Sequence, residues 1–301
     1  MRVLLLGRNG QLGWELERLL AGTTNLVALD RSEADLTRAD SLTRAARSVR
    51  PDVIVNAAAY NNVDGAERET GLAHQVNAVA PGILAGEAKR LGAAFIHYST
   101  DYVFDGTKGL PYVESDTPNP LSVYGHSKLD GEKAVEQTLE AHLILRASWV
   151  YSLRMPSFVT KFLGWARNHP QVRVVTDQTS NPTWCRMLAE TTAQLLAKME
   201  ADPAGWTRER RGTYHLAGGG YVSRFDLARK TLELLPADIP IKATNVLPAL
   251  TSEFNDAAKR PVFSALDTNK FVRAFELEPP AWDVSLQTAL TEHFSTIPTI
   301  P

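Results

Sequence analysis

Cysteine is almost missing from this chain: Cys185 is the only one in 301 residues, so no intrachain disulfide can form. That usage fits a reducing compartment, and a cytoplasmic protein is expected. Long hydrophobic runs are missing as well. No stretch reaches the roughly 20 apolar residues that span a bilayer, which speaks against a membrane partner. The apolar start Val3-Leu4-Leu5-Leu6 stops at Gly7, too short for a signal-peptide core and suited instead to a buried first strand. Neither sign of charge dominates: 32 Lys and Arg against 34 Asp and Glu leave a formal charge of −2. No basic field therefore favours nucleic acid or an anionic lipid surface. Repeats and low-complexity segments are absent. His97, His126 and His215 lack metal-ligand spacing and read as structural or surface residues, and Cys185 beside Trp184 reads as packed. What remains is an ordinary globular composition, 44% hydrophobic and 22% charged, long enough for one large or two small domains.

What is present begins with an alternation. The short apolar runs Val3 to Leu6, Leu26 to Leu29, Val53 to Val55, Phe95 to Tyr98 and Leu143 to Leu145 suit central strands of a parallel sheet. Helical patterns separate them: Gln11 to Leu20, Ser41 to Val49, Leu72 to Leu91 and Ser127 to Leu139. The fold class expected is α/β, a doubly wound, Rossmann-like parallel sheet with helices on both faces. After Trp149 the pattern loosens. Phe158 to Asn168 and Leu188 to Met199 read as helices around a strand at Val172 to Val175. Ala201 to Gly212 reads as an exposed excursion. Gly218-Gly219-Gly220 reads as a turn, with Ser223 capping a helix to Leu235. Pro236 to Pro261 is loop-rich, Thr268 is a cap for a short helix, and Val284 to Phe294 is a final helix. Residues 1–150 are expected to form the cofactor-binding core. Residues 151–301 are expected to form a smaller substrate-binding region that partly returns to the core sheet.

Gly7-x-x-Gly10-x-x-Gly13 sits between the first strand and the first helix. Glycine there permits a tight turn, lets backbone approach a pyrophosphate, and lets the helix pack close to the sheet. The free N–H groups of the helix start then bind anionic oxygens. The alternative is an ordinary strand-to-helix turn. Asp30 ends the second strand, where an acid can accept a ribose 2′-hydroxyl; Arg31 and Arg8 lie close enough in sequence to pair with a 2′-phosphate. Both NADPH and NADH remain open. Asn56-Ala57-Ala58-Ala59-Tyr60 follows the third strand, and its small residues let a flat cofactor lie against backbone.

Polar residues emerge from the fourth strand as Ser99-Thr100-Asp101-Tyr102. Tyr124 and Lys128 follow, four residues apart and so on one helical face. A phenol beside an ammonium makes a proton donor of adjustable acidity. Alone, the pair would equally suit the exposed face of an amphipathic helix.

These pieces, in this order, resemble the extended short-chain dehydrogenases/reductases over the first 150 residues. The Gly-x-x-Gly-x-x-Gly spacing resembles that family's loop. The resemblance implies that Tyr124 donates the proton, that Lys128 lowers its pKa and binds the nicotinamide ribose, and that Thr100 hydrogen-bonds the substrate carbonyl. It adds Gln11 and Leu12 to the cofactor-binding residues, and Asp35-Leu36 as the element holding the adenine edge. Finer segments are similar to the branch of the family that reduces dTDP-4-dehydrorhamnose: Gly7 to Leu16, His97 to Gly106, Val123-Tyr124-Gly125, Arg146 to Tyr151, Asp177-Gln178 with Pro182-Thr183, and Arg260-Pro261 before Ser264-x-Leu266. This implies reduction of the C4 ketone of dTDP-4-dehydro-β-L-rhamnose by NAD(P)H, in a monomer or homodimer. Thr100 and Asp101 would touch the sugar, Trp149 would pack on it, and Arg260 would meet the diphosphate. Asn61 departs from the family's usual threonine. Some relatives bind Mg²⁺ through glutamates, and Glu15, Glu190 and Glu292 lie in similar segments; the other reading is exposed helix glutamates. A nucleotide-sugar dehydratase or epimerase is disfavoured, because Thr100 is followed by Asp101-Tyr102 and not by Asp-Glu. A reductase of another nucleotide-linked 4-keto-6-deoxysugar stays open. So does a non-catalytic subunit resembling the regulator of methionine adenosyltransferase, which would not require the Tyr/Lys pair.

Overall fold

Short runs of Val, Ile and Leu favour strands because bulky apolar side chains pack well on a pleated, buried surface. In the computed structural model, which describes residues 1–295, the five expected runs are strands β1 (Arg2–Leu6), β2 (Asn25–Leu29), β3 (Val53–Asn56), β4 (Ala94–Thr100) and β5 (His142–Ala147). The last six residues of the region 151–301 lie outside the described part. Helices α1 (Gln11–Leu20), α2 (Ala39–Val49), α3 (Val63–Ala66), α4 (Thr70–His74), α5 (Ala80–Leu91) and α6 (Val123–Thr138) separate the strands. Strand order is β2-β1-β3-β4-β5-β10, all parallel, where β10 (Gly212–His215) returns from the second half of the chain. Successive side chains on a strand point to opposite faces. Val3 and Leu5 accordingly pack with Leu12 and Leu16 of α1, whereas Leu4 and Leu6 pack with Leu42 of α2 and Leu84 of α5. Helices on both faces make the sheet doubly wound. The order in which strands are laid down reverses between β1 and β3, and the carboxyl edge there is where such sheets bind ligands.

The second half adds β6 (Val150–Tyr151), α7 (Phe158–Asn168), β7 (Gln171–Val175), β8 (Thr179–Ser180), β9 (Thr183–Trp184) and α8 (Cys185–Lys198). Then come α9 (Pro203–Glu209), β11 (Val222–Ser223), α10 (Arg224–Glu233), β12 (Asn245–Ala249), α11 (Asn269–Phe275) and α12 (Trp282–Ser295). Four expectations need correction. Ala201 to Gly212 is not merely an excursion: Asp202 caps α9 by accepting from Gly205 N at 3.0 Å, and Trp206 stacks on Phe275 at 5.7 Å. Pro236 to Pro261 holds β12, which pairs in parallel with β7. Pro248 is tolerated because this two-stranded ribbon has an open edge. Thr268 precedes α11, but its side chain makes no capping bond. The helix expected from Leu72 to Leu91 is interrupted by a π-helical turn, Gln75–Val79.

At the glycine loop, Gly7 has φ 87°, a left-handed value that bulkier residues resist. Gly13 is required for a different reason. A Cβ there would lie 2.0 Å from the Gly7 carbonyl oxygen, which is backbone and cannot swing aside. We therefore expect Gly13→Ala to cost about 1–3 kcal/mol, the usual range for overpacking. A lowered urea unfolding midpoint would show it; an unchanged midpoint would mean that α1 can slide away from β1.

Candidate active site

β4 is buried along its whole length and delivers Thr100 to the sheet's carboxyl edge. The Thr100 hydroxyl accepts from Tyr102 N at 3.2 Å and so caps a single 3₁₀ turn, Asp101–Val103. Ser122 caps α6 by accepting from Gly125 N at 3.2 Å. The helix therefore starts one turn earlier than Ser127, and Tyr124 and Lys128 both sit in its opening turns. A Cβ on Gly125 would lie 2.3 Å from the Tyr102 carbonyl oxygen, so only glycine lets the helix start come this close to the strand end.

Two cavities meet here. One, about 420 Å³, is lined by Thr100, Asp101, Tyr124, Lys128 and Trp149, together with Gly10, Gln11, Leu12 and Ala57 to Ala59. The other, about 340 Å³, is lined by Gly7, Gly10, Asp30, Arg31, Asp35, Leu36, Ala58, Ala59 and Tyr60. They share Gly10, the alanines and Asn61. Of the residues expected to act, Gly13 lines neither, and its contribution is the packing just described. Arg260 lines neither as well: its guanidinium holds Asp64 at 2.6 Å and Asp256 at 2.9 Å.

The second cavity has the features a dinucleotide needs. Gly7 and Gly10 leave backbone bare where a Cβ would crowd Ala58 and the Gly7 carbonyl. Gln11 donates to the Pro156 carbonyl at 3.1 Å, while its own side-chain oxygen is buried without a partner. Asp30 is oriented by Ser32, which donates from its N–H at 2.8 Å and its hydroxyl at 2.6 Å. These bonds, chiefly the hydroxyl, hold its pKa below the ordinary carboxylate value. Arg31 is mostly exposed and touches Asp35 only at 3.9 Å. An oriented carboxylate and an exposed cation thus stand side by side.

The electrostatics of the first cavity are dominated by burial. Lys128 is 2% exposed and donates to the Tyr98 carbonyl at 2.6 Å. Burial pulls its pKa down to about 8, against the field of Glu132. Burial pushes the Tyr124 phenol well above its ordinary value, and the Thr100 hydroxyl pulls only partly the other way. The ammonium is turned to the strand carbonyl, not to the phenol. Asp101 is 2% exposed and gathers hydroxyls: Ser264 at 2.5 Å, Thr100 at 3.2 Å and Ser180 at 3.3 Å. Burial outweighs them and pushes its pKa up to about 6.

Two residues here escape the sequence reading. Asn77, in the π turn, accepts from Tyr60 N at 2.8 Å and donates to the Tyr60 carbonyl at 3.1 Å and the Ser127 hydroxyl at 3.0 Å. It clamps the loop after β3 to α6. An amide inside an apolar helical segment was the available signal. Arg224, the first residue of α10, reaches the 420 Å³ cavity from the far half of the chain. Its place after the Ser223 cap was legible, but nothing in the sequence says which cavity it enters. The glutamates considered for Mg²⁺ do not form a cation cage. Arg186 lies 3.1 Å from Glu15 and also pairs with Glu292. Among the described residues no group of three or more His, Cys, Asp or Glu could hold a metal ion, and no helix is long and apolar enough to cross a membrane.

The model of the RmlD substrate binding domain family matches residues 1–294. The chain belongs to this family. It is 40% identical over 285 residues to a dTDP-4-dehydrorhamnose reductase of Burkholderia thailandensis, covering 94% of this chain and 95% of the relative. It is also 40% identical over 301 residues to the enzyme of that name from Salmonella typhimurium, covering 98% and 99%. Among solved structures, the dTDP-4-dehydrorhamnose reductase of Bacillus anthracis in complex with NADP matches with a TM-score of 0.88 at 32% identity, over 97% of this chain and 99% of that one.

The raised pKa of Asp101 has a stability consequence of fixed sign. A carboxyl whose folded pKa lies above its unfolded value keeps its full contribution below pH 4 and loses it as the pH rises through about 6. Asp101→Asn does not titrate. Its stability relative to wild type should therefore rise between pH 4 and pH 7, by roughly 3 kcal/mol for two pKa units. Urea unfolding of the two proteins at both pH values measures this; a difference independent of pH would show that Asp101 ionises freely in the fold.

Proposed function

We propose that this chain is an NAD(P)H-dependent reductase that converts the C4 ketone of dTDP-4-dehydro-β-L-rhamnose to the alcohol of dTDP-β-L-rhamnose. The observation that carries the reading is the meeting of Thr100, Tyr124 and Lys128 in one cavity that opens into the glycine-loop cavity. The names of the relatives support the choice of sugar. Residues 1–150 would hold the cofactor and much of the remainder would shape the sugar site.

Gly7, Gly10, Gln11 and Leu12 would hold the pyrophosphate side, Asp30 and Arg31 the adenosine ribose, Asp35 and Leu36 the adenine edge, and Ala58 to Tyr60 the flat middle. When bound, the dihydronicotinamide supplies a hydride to the carbonyl carbon. Every other step belongs to side chains. Thr100 and Tyr124 donate hydrogen bonds to the ketone oxygen, an arrangement that stabilises charge as it develops there. Tyr124 then transfers its phenolic proton to that oxygen, and the C–O double bond becomes a C–OH single bond. A reduction needs this donor protonated, and a phenol whose pKa burial has raised stays loaded at neutral pH. Lys128 has a pKa near 8 and keeps most of its charge there, a cation lining the same cavity as the phenolate left behind. Trp149 offers an apolar face to the C6 methyl and ring C–H groups of a 6-deoxysugar.

Reduction fits better than elimination, because Thr100 is followed by Asp101-Tyr102 and not by Asp-Glu, and the Asp101 carboxylate is occupied by hydroxyls. The test is turnover of dTDP-4-dehydrorhamnose with NADPH and with NADH, beside a panel of other 4-keto nucleotide sugars. Tyr124→Phe should lower kcat/KM by 10²-fold or more, the scale of a lost general acid, while NADPH affinity stays within about twofold. No turnover with either cofactor would sink the assignment; turnover undiminished in the variant would sink the proton donor.

A further inference from the structure

Among the described residues lining the 420 Å³ cavity, Arg224 is the only arginine. Its guanidinium carbon lies 3.6 Å from the Trp149 ring centroid and 4.7 Å from that of Phe158. Stacking between two rings holds the planar fork in one orientation and strips water from its faces. The neighbouring arginines have carboxylate partners: Arg260 holds Asp64 and Asp256, and Arg146 holds Glu132. No ion pair is formed by Arg224 among the described residues, and the Tyr102 phenol is its hydrogen-bonding neighbour. Burial pulls its pKa down to about 10, with Tyr102 and Asp101 pulling the other way.

The cavity as a whole has the same imbalance. Lys128, Lys161 and Arg224 line it against a single acid, Asp101. Asp101 faces inward to Ser264 and Ser180. A pocket of this charge suits a ligand with two negative charges, and a flat, stacked guanidinium suits paired phosphate oxygens better than an ammonium would.

We propose that Arg224 is the anion-recognising residue of this site and binds the diphosphate of the nucleotide sugar, with Trp149 and Phe158 holding its guanidinium in place. This deepens the reductase reading and rests on it for the identity of the ligand. It also moves the diphosphate contact from Arg260, whose guanidinium is already held by two carboxylates, to a residue at the mouth of α10.

The test compares wild type, Arg224→Met and Arg224→Lys by calorimetric titration with dTDP, thymidine and NADPH. Melting temperatures serve as a folding control. Arg224→Met should bind dTDP at least tenfold more weakly, the least that loss of a charge-assisted pair implies. Thymidine, which has no phosphate, and NADPH should bind within about twofold of wild type. Arg224→Lys should fall between, since it keeps charge but not the fork. In turnover, KM for the sugar nucleotide should rise while kcat changes little. Unchanged dTDP affinity in Arg224→Met overturns the proposal, and so does a loss confined to NADPH, which would assign Arg224 to the cofactor. Failure of the reductase reading is distinguishable: wild type would then turn over no 4-keto sugar, while the dTDP titrations would still decide the role of Arg224.

Discussion

A lysine with almost no water around it sets the terms for this structure. An ammonium removed from solvent is costly unless it is hydrogen-bonded, and Lys128 meets that demand with one backbone carbonyl, that of Tyr98. The bond ties α6 to the edge of β4. It can form only because the helix comes very close to its neighbours. Gly131, one turn on, lies where a Cβ would sit 2.0 Å from the Asn77 carbonyl, and Gly125 makes the equivalent approach to Tyr102. Once Lys128 is anchored, helical geometry fixes Tyr124, and Tyr124 is brought to Thr100. Glu132 supports the arrangement from behind. It is held by Arg146 at 2.9 and 2.6 Å in a buried pair and turns its field toward the ammonium.

The second half of the chain is bound to this centre through polar groups as well as through packing. Ser180 and Ser264 both reach Asp101, and Asn181 joins the Gly220 carbonyl to the backbone at Leu266. Burial makes the Asp101 carboxyl resist ionisation against the pull of these hydroxyls, and its bonds fix the turn that presents Thr100. β10 completes the sheet beside β5, so the second half of the chain is laced to the central sheet at more than one place.

Legibility in the sequence followed interaction range. β1 to β5 could be read because each is a short apolar run buried on both faces, and α1 because its amphipathic pattern is uninterrupted. The glycine loop, Thr100, Tyr124 and Lys128 could be read because their spacing is itself the local geometry. β12 could not: its residues look like proline-punctuated loop, and pairing with β7, some 70 residues earlier, makes it a strand. The π turn was invisible because one extra residue in a helical turn leaves composition unchanged. The burial of Tyr124 could not be read for a related reason. Sequence spacing put an ammonium near a phenol, whereas the fold turned the ammonium to a carbonyl and buried the phenol. Arg224 is the extreme case, a residue whose surroundings come entirely from distant segments.

Trp149 carries a φ of 40°, in a region that non-glycine residues enter at a cost on the order of 1–2 kcal/mol. The indole is thus presented by backbone held away from its own preference, with Arg224 stacked against it. Glycine at this position would relieve the backbone and empty the wall of the cavity at once. Relief of the strained backbone and loss of the ring are therefore tied to one position, so neither can be changed without the other.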